Sequence, residues 1–241
     1  MKIDVLFFTA GVPENYFTEK NCVVIDLLRA TSTIITALNN GAREIIPIAS
    51  VDEAIRISKN LDKNSYLLCG ERQAKKIDGF DLGNSPLEYT EDKVKGKILI
   101  LSTTNGTKVF NHLKNAKKVI LASAFNISAV VDELMNSKED WTVICSGSEN
   151  MFDASDALCA GLLIHRIRSS VSNKIELNDA ASLSLLYFEK SSNEIEKTLS
   201  QTEHGRYLIE NNFGDDIKFI SQIDLFNNVV HYKNNLITTH N

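Results

Sequence analysis

Cys22-Val23-Val24-Ile25-Asp26-Leu27-Leu28, followed at once by Arg29-Ala30-Thr31-Ser32-Thr33, is the stretch that decides the fold. An apolar, β-branched run reads as a buried strand, and the small hydroxyl residues after it read as a helix start. Two further runs repeat the pattern. Ile98-Leu99-Ile100-Leu101 leads into Ser102-Thr103-Thr104-Asn105-Gly106-Thr107, and Thr142-Val143-Ile144-Cys145 leads into Ser146-Gly147-Ser148-Glu149-Asn150. A helix start offers unpaired backbone N–H groups and a positive dipole end, so each turn is a ready anion pocket. If the three strands are parallel neighbours, their turns share one edge of the sheet, where open α/β folds bind ligands. The expectation is an anionic small molecule in one crevice.

Outward from these runs, strand and helix patterns alternate through the first two thirds of the chain, the mark of an α/β fold with a largely parallel sheet. Strands are expected at Lys2–Phe8, Cys22–Leu28, Glu44–Ile48, Ser65–Cys69, Lys97–Leu101, Lys118–Leu121 and Trp141–Cys145. Helices are expected at Thr31–Asn40, Val51–Leu61, Gly106–Leu113, Ile127–Met135 and Ala154–Ser170, with Gly41 stopping the first and Asn126 capping the fourth. Then the character changes. Asn178–Glu189, Asn193–Ser200 and His204–Asn211 read as extra C-terminal helices, and Val229–Tyr232 with Leu236-Ile237 as a closing hairpin. The expectation is one domain over residues 1–241, with residues 172–215 as a candidate helical cap.

The 241 residues carry a net charge of -5, which argues against nucleic acid as a partner, because phosphate backbones need a basic surface. No apolar run is long enough to cross a bilayer, and the N-terminus, broken by Asp4, reads as a first strand and not a signal peptide. Cys22, Cys69, Cys145 and Cys159 are too widely spaced for a disulfide framework or a zinc site, so reduced core thiols and a cytoplasmic location are expected. A homo-oligomer is allowed.

Asp26 is a carboxylate inside an apolar strand pattern, costly unless paired or bound to a cation. One reading is a buried ion pair with Arg29. The other has Asp26 binding a divalent metal or attacking a substrate while the Arg29 guanidinium clamps an anion. Thr31, Ser32 and Thr33 exceed what capping needs, and Gly106 would let a ligand approach the backbone of Ser102–Thr107. Neither turn matches a Walker loop or a dinucleotide fingerprint. In Gly70–Pro86, Glu71-Arg72 and then Asp81, Asn84 and Ser85 bring polar tips into one loop; Ser85-Pro86 alone also suits a helix start. Cys145-Ser146-Gly147 lacks the arginine that closes a cysteine-phosphatase loop, so Cys145 reads as a buried thiol. Asp153 and Asp156 are weak individually as first-turn acids, although Asp156 would face Asp26 from a parallel strand. His204 would serve as a general acid only if the C-terminal helices fold back over the crevice.

Taken in order, Val24–Thr33, Gly70-Glu71-Arg72, Gly79–Pro86, Thr103–Thr107, Asp156–Gly161 and His204-Gly205 resemble the 2-phosphosulfolactate phosphatase family over nearly the whole chain. The resemblance implies a three-layer α/β/α fold and magnesium-dependent hydrolysis of 2-phosphosulfolactate to sulfolactate and phosphate, a step of coenzyme M synthesis. Gln73-Ala74 stands where that family usually has glycines, and Ser148-Glu149-Asn150 where it has Thr-Glu-Gly. On this reading Mg²⁺ is held by carboxylates drawn from Asp26, Glu71, Asp81 and Asp156. Asp26, Arg29 and His204 act in catalysis. Thr31–Thr33, Arg72, Asn84, Ser85, Thr103, Thr104, Asn105, Gly106, Thr107, Ser146 and Gly147 bind the phosphorylated anion. The rivals are a phosphatase for another phosphorylated hydroxy acid, a haloacid-dehalogenase-like enzyme (which would want Asp where Leu28 stands), and a non-catalytic anion sensor.

Overall fold

A computed structural model describes residues 1–13, 15–104, 109–149, 151–170 and 175–239. At its centre lies β2 (Asn21–Ile25), every residue of it buried. Its two neighbours, β7 (Lys118–Ala122) and β8 (Trp141–Cys145), both run parallel to it. A strand covered on both faces and both edges reads as a continuous apolar run, which is why Cys-Val-Val-Ile shows no alternation. The strand stops at Ile25, three residues short of its expected end. Asp26 therefore opens the turn into α1 (Ala30–Asn39), where backbone N–H groups are free to meet its carboxylate. The Leu28–Arg29 peptide within that turn is cis. Helix α1 ends in a Schellman motif at Gly41, φ +89°, with Ala42 N–H bonding to Ala37 O and Gly41 N–H to Leu38 O.

The first block of the sheet is completed by β1 (Lys2–Leu6) beside β8 and β9 (Glu176–Leu177) at the edge, all parallel. The second block comprises β3 (Glu44–Pro47), β6 (Ile98–Ser102) and β4 (Tyr66–Arg72), parallel among themselves, with β5 (Lys75–Lys76) turning back on β4. Between the blocks sits the C-terminal hairpin of β10 (Val230–Lys233) and β11 (Leu236–Thr238), antiparallel to β7 on one side and to β3 on the other. Asn234 and Asn235, φ +52° and +61°, form its two-residue turn, a geometry Asn tolerates.

Three successive antiparallel pairings reverse direction from the first block to the second. The three anion-pocket turns are thus not on one edge of neighbouring strands: β2 and β8 are adjacent, but β6 belongs to the other block. In a flat sheet, β4 would lie six spacings, about 29 Å, from β2 with its C-terminal end on the opposite edge. Instead Thr33 Oγ1 donates to Asn84 O at 2.8 Å and an Arg29 N–H to Ala74 O at 3.2 Å. The right-handed twist of the strands, accumulated over the sheet, curls the second block round until both sets of strand ends face one space.

Helices cover both faces: α2 (Val51–Ser58), α3 (Glu91–Val94), α4 (Ile127–Ser137), α5 (Ala154–Ser170), α6 (Asp179–Ser191), α7 (Ile195–Gln201), α8 (Glu203–Glu210) and α9 (Gly214–Ile220). The last of these was not expected from sequence, since its short acidic start resembles a turn. The structure is α/β with a largely parallel sheet between helices, as the alternation implied. Of the expected helix Gly106–Leu113, residues 106–108 fall outside the described residues, and Phe110–His112 form a 3₁₀ turn. Asn126 stands at the N-cap position of α4 as expected, but its side chain is spent in a capping box with Ser123 at the 3₁₀ turn just before it. Helices α5 and α6 touch backbone to backbone at Gly161, where a Cβ would stand 2.0 Å from Ser184 O.

Ile237 is fully buried at the seam and pairs with Ile45. Its replacement by Ala is expected to cost about 2–5 kcal/mol in urea unfolding; a loss below about 1 kcal/mol would show that the hairpin does not hold the blocks together.

Candidate active site

The converging strand ends enclose a cavity of about 500 Å³. Asp26 and Arg29 reach it from the turn after β2, Glu71 from β4, and Gln73 and Ala74 from the β4–β5 turn. Asn84, Thr103 and Thr104 form a second wall, and Ser148 to Asp153 close the side beyond β8, with residue 150 outside the described set. Helix α8 supplies Glu203, His204, Tyr207 and Leu208 as the roof. Of the C-terminal helices, α8 is the one that supplies lining residues among those described.

Asp26 is 7% exposed, and its Oδ1 accepts the Ala30 N–H at 3.0 Å. Burial pushes its carboxyl up to about 6; the Ala30 N–H and His204 oppose the shift, while Asp153 and Glu71 add to it. No hydrogen bond from the described residues reaches its Oδ2. Asp156 does face Asp26, but its own carboxylate is spent on the backbone. Leu27 N–H donates to one oxygen at 2.8 Å and Gly147 N–H to the other at 3.1 Å, which pins the turn after β2 to the turn after β8. Burial, then Asp153 and Asp26, raise it well above the usual carboxylate range. Glu71 plays the same part in the second block. Its oxygens accept Thr104 N–H at 2.7 Å and Ala74 N–H at 3.0 Å.

His204 Nδ1 lies 2.7 Å from Asp153 Oδ2. Facing a carboxylate, Nδ1 carries a proton, which leaves Nε2 for the cavity. Burial works against charge on both partners. Their hydrogen bond and mutual attraction overcome it, raising His204 and lowering Asp153, whose other oxygen is held by Ser155. Sequence reading undervalued Asp153, because its partner lies 51 positions away and only the fold brings them together.

Arg29 does not pair with Asp26. Its guanidinium donates to Asp216 Oδ2 at 2.8 Å and lies 4.0 Å over the Phe213 ring, with both charged side chains almost wholly buried. Ser85 Oγ donates to the other Asp216 oxygen at 2.6 Å, so Ser85 serves this clasp and does not cap the turn at Pro86. The hydroxyls of Thr31, Ser32 and Thr33 likewise turn inward, to Asp26 O, Leu27 O and Asn84 O. They build the turn and do not line the cavity.

Arg72 faces Ser102, donating to its carbonyl at 3.2 Å and its hydroxyl at 2.8 Å, and stands outside the cavity wall. Asp81 is exposed and accepts the Leu68 N–H, away from the other carboxylates. Ser146 and Gly147 lie behind the lining, and Asn105, Gly106 and Thr107 fall outside the described residues. Cys145 is fully buried, its thiol raised by burial and by Asp156, and all four cysteines are free. Two lining oxygens find no protein partner among the described residues: Asn84 Oδ1, on a residue 6% exposed, and Thr104 Oγ1. Asn84 and Thr104 were expected at the site; Gln73, Glu149, Asp153, Glu203 and Tyr207 were not.

No cluster of three metal-ligating side chains is present among the described residues. The unspent oxygens of Asp26, Asn84 and Thr104 on one cavity nevertheless suit a magnesium ion, which takes one or two carboxylates and completes its shell with water and phosphate.

Removing the Asp216 carboxylate would strand a buried guanidinium. Asp216→Ala is expected to lose about 3–5 kcal/mol in denaturant unfolding; a change within about 0.5 kcal/mol would mean that the clasp carries no stability.

The family model described as 2-phosphosulpholactate phosphatase matches residues 7–235. A protein of Caldanaerobacter subterraneus subsp. tengcongensis, named a probable 2-phosphosulfolactate phosphatase, is 43% identical over 92% of this chain and 91% of its own length. Proteins of the same name from Clostridium beijerinckii and Thermotoga maritima are 37% and 42% identical, over 99% and 87% of this chain and 99% and 88% of their own. The family match takes in every residue that lines the cavity, and the chain therefore belongs to the 2-phosphosulfolactate phosphatase family.

Proposed function

We propose that the protein is a magnesium-dependent phosphatase that hydrolyses 2-phosphosulfolactate to sulfolactate and phosphate, the type of step found in coenzyme M synthesis. One observation carries the magnesium requirement. The described lining holds five carboxylates, on Asp26, Glu71, Glu149, Asp153 and Glu203, against two cationic side chains, Arg29 and His204. Phosphate, sulfonate and carboxylate together make the substrate a polyanion, and such a wall repels it unless a cation stands between them.

Asp26, through its unspent oxygen, and the orphaned Asn84 Oδ1 would hold that cation. A magnesium ion held by these residues would supply charge neutralisation at the phosphoryl oxygens. Arg29, locked by Asp216 and Phe213, adds fixed positive charge at the same wall with no reorganisation during the reaction. His204, held through Nδ1 by Asp153, passes the Nε2 proton to the ester oxygen as its bond to phosphorus breaks and water adds to phosphorus. Tyr207, Leu208, Met151 and Phe152 add apolar surface to the lining. No helix among the described residues is long and apolar enough to cross a membrane. The four free, buried thiols suit a reducing cytoplasm.

Phosphate release from a panel of phosphate esters, with Mg²⁺ or with EDTA, tests the reading. Release from 2-phosphosulfolactate that EDTA abolishes is expected; binding without release would make the protein a sensor, and EDTA-insensitive turnover would remove the metal. Asp26→Asn should lose most turnover at saturating Mg²⁺, and unaltered turnover would take Asp26 out of the site. His204 donates only when protonated, and its value is raised above 6.5. Activity is therefore expected to persist through pH 6.5 and fall as the pH rises through that higher value. His204→Gln should remove this alkaline limb and lower kcat by about 10²–10⁴.

A further inference from the structure

Gln73 and Ala74 form the two-residue turn between β4 and β5, whose flanking pairs are Glu71 with Lys76 and Arg72 with Lys75. Both turn residues are left-handed, φ +53° and +62°. A hairpin turn of this hand favours Gly, Asn or Asp, since any Cβ in that conformation crowds the following carbonyl. Gln-Ala is a poor occupant, and an ill-suited residue held in such a conformation is a pointer to function.

Ala74 has a visible structural task. Its N–H is held by Glu71 and its carbonyl by Arg29, so the turn is fixed to two groups that build the cavity. Gln73 has none. Its side chain is exposed, lines the cavity and makes no hydrogen bond to the described residues. The rigid turn thus presents a free carboxamide at a wall otherwise dominated by carboxylates. A carboxamide N–H can donate to an oxyacid without competing for the cation, as a further carboxylate would, and without the freedom of a lysine stem.

We infer that Gln73 is a specificity-determining residue, whose carboxamide donates to the acid group on the substrate's carbon skeleton, the sulfonate or carboxylate away from phosphorus. This rests on the phosphatase reading above. Discrimination against esters lacking that acid group then comes from Gln73, while the phosphoryl chemistry is served by the other walls.

The test compares wild type, Gln73→Gly and Gln73→Asn on 2-phosphosulfolactate and on p-nitrophenyl phosphate, with a thermal melt of each. Gly relieves the left-handed strain, so its melting temperature is expected to rise by about 2–4 °C. Its KM for 2-phosphosulfolactate is expected to rise about tenfold with kcat within twofold, and the kcat/KM preference for that substrate to fall by the same factor. Asn suits the turn but is one methylene shorter, and should fall between the two. A raised melting temperature with an unaltered preference would overturn the proposal, as would an equal loss on both substrates. Should wild type release phosphate from neither ester, the phosphatase reading fails by itself, and calorimetric binding of sulfolactate decides Gln73. Affinity weakened about tenfold in Gln73→Gly sustains its role in reading the acid group, and equal affinity refutes it.

Discussion

The molecule turns on one buried charge. Arg29 follows the central strand by four residues and has almost no access to water, so its guanidinium must find an anion inside the protein. That anion is Asp216, 187 positions further along the chain. To deliver it, helix α9 must lie against the turn after β2, and the preceding helix α8 is thereby laid across the strand ends. Ser85 joins the same carboxylate, which draws in the loop after β5. One ion pair therefore brings three distant segments to the rim of one cavity, and desolvation makes each of its partners dependent on the other.

The carboxylates around the cavity divide by what their oxygens already do. Glu71 and Asp156 each accept two backbone N–H groups and so fasten one turn to another. Asp153 is shared between the Ser155 cap and His204. Asp26 alone among these four keeps an oxygen free of hydrogen bonds from the described residues. A buried carboxylate with an unspent oxygen is held in readiness for a cation or a reacting group, whereas a fully bonded one is part of the frame. The same division separates Asn84, whose side-chain oxygen is orphaned, from Thr31, Ser32 and Thr33, whose hydroxyls are consumed by nearby carbonyls.

Much of the fold was legible locally. Apolar β-branched runs end in turn residues at the strands that form, Gly41 stops α1 as its position implied, and Asn234-Asn235 marks the hairpin. These features depend on backbone preferences of a few adjacent residues. Asp26 was legible as a carboxylate in an apolar strand pattern, and Arg29, Glu71 and Asn84 as polar groups in the turns that follow strands, whereas His204, in a polar helix start, depended on the C-terminal helices folding back. Asp153, Asp216 and Gln73 were not. A first-turn acid, an acid at the start of a short helix and an exposed amide are ordinary in sequence, and only their partners or surroundings make them otherwise.

Periodicity and turn chemistry act within a few residues, and from them alone the kind and order of most strands and helices could be read. Tertiary structure alone decided that the C-terminal hairpin enters the middle of the sheet, and that the second block curls round to face the first. It also decided that Arg29 answers to Asp216 and not to Asp26. Strand order and ion-pair choice are settled by burial and twist summed over the whole chain, and no local pattern records that sum.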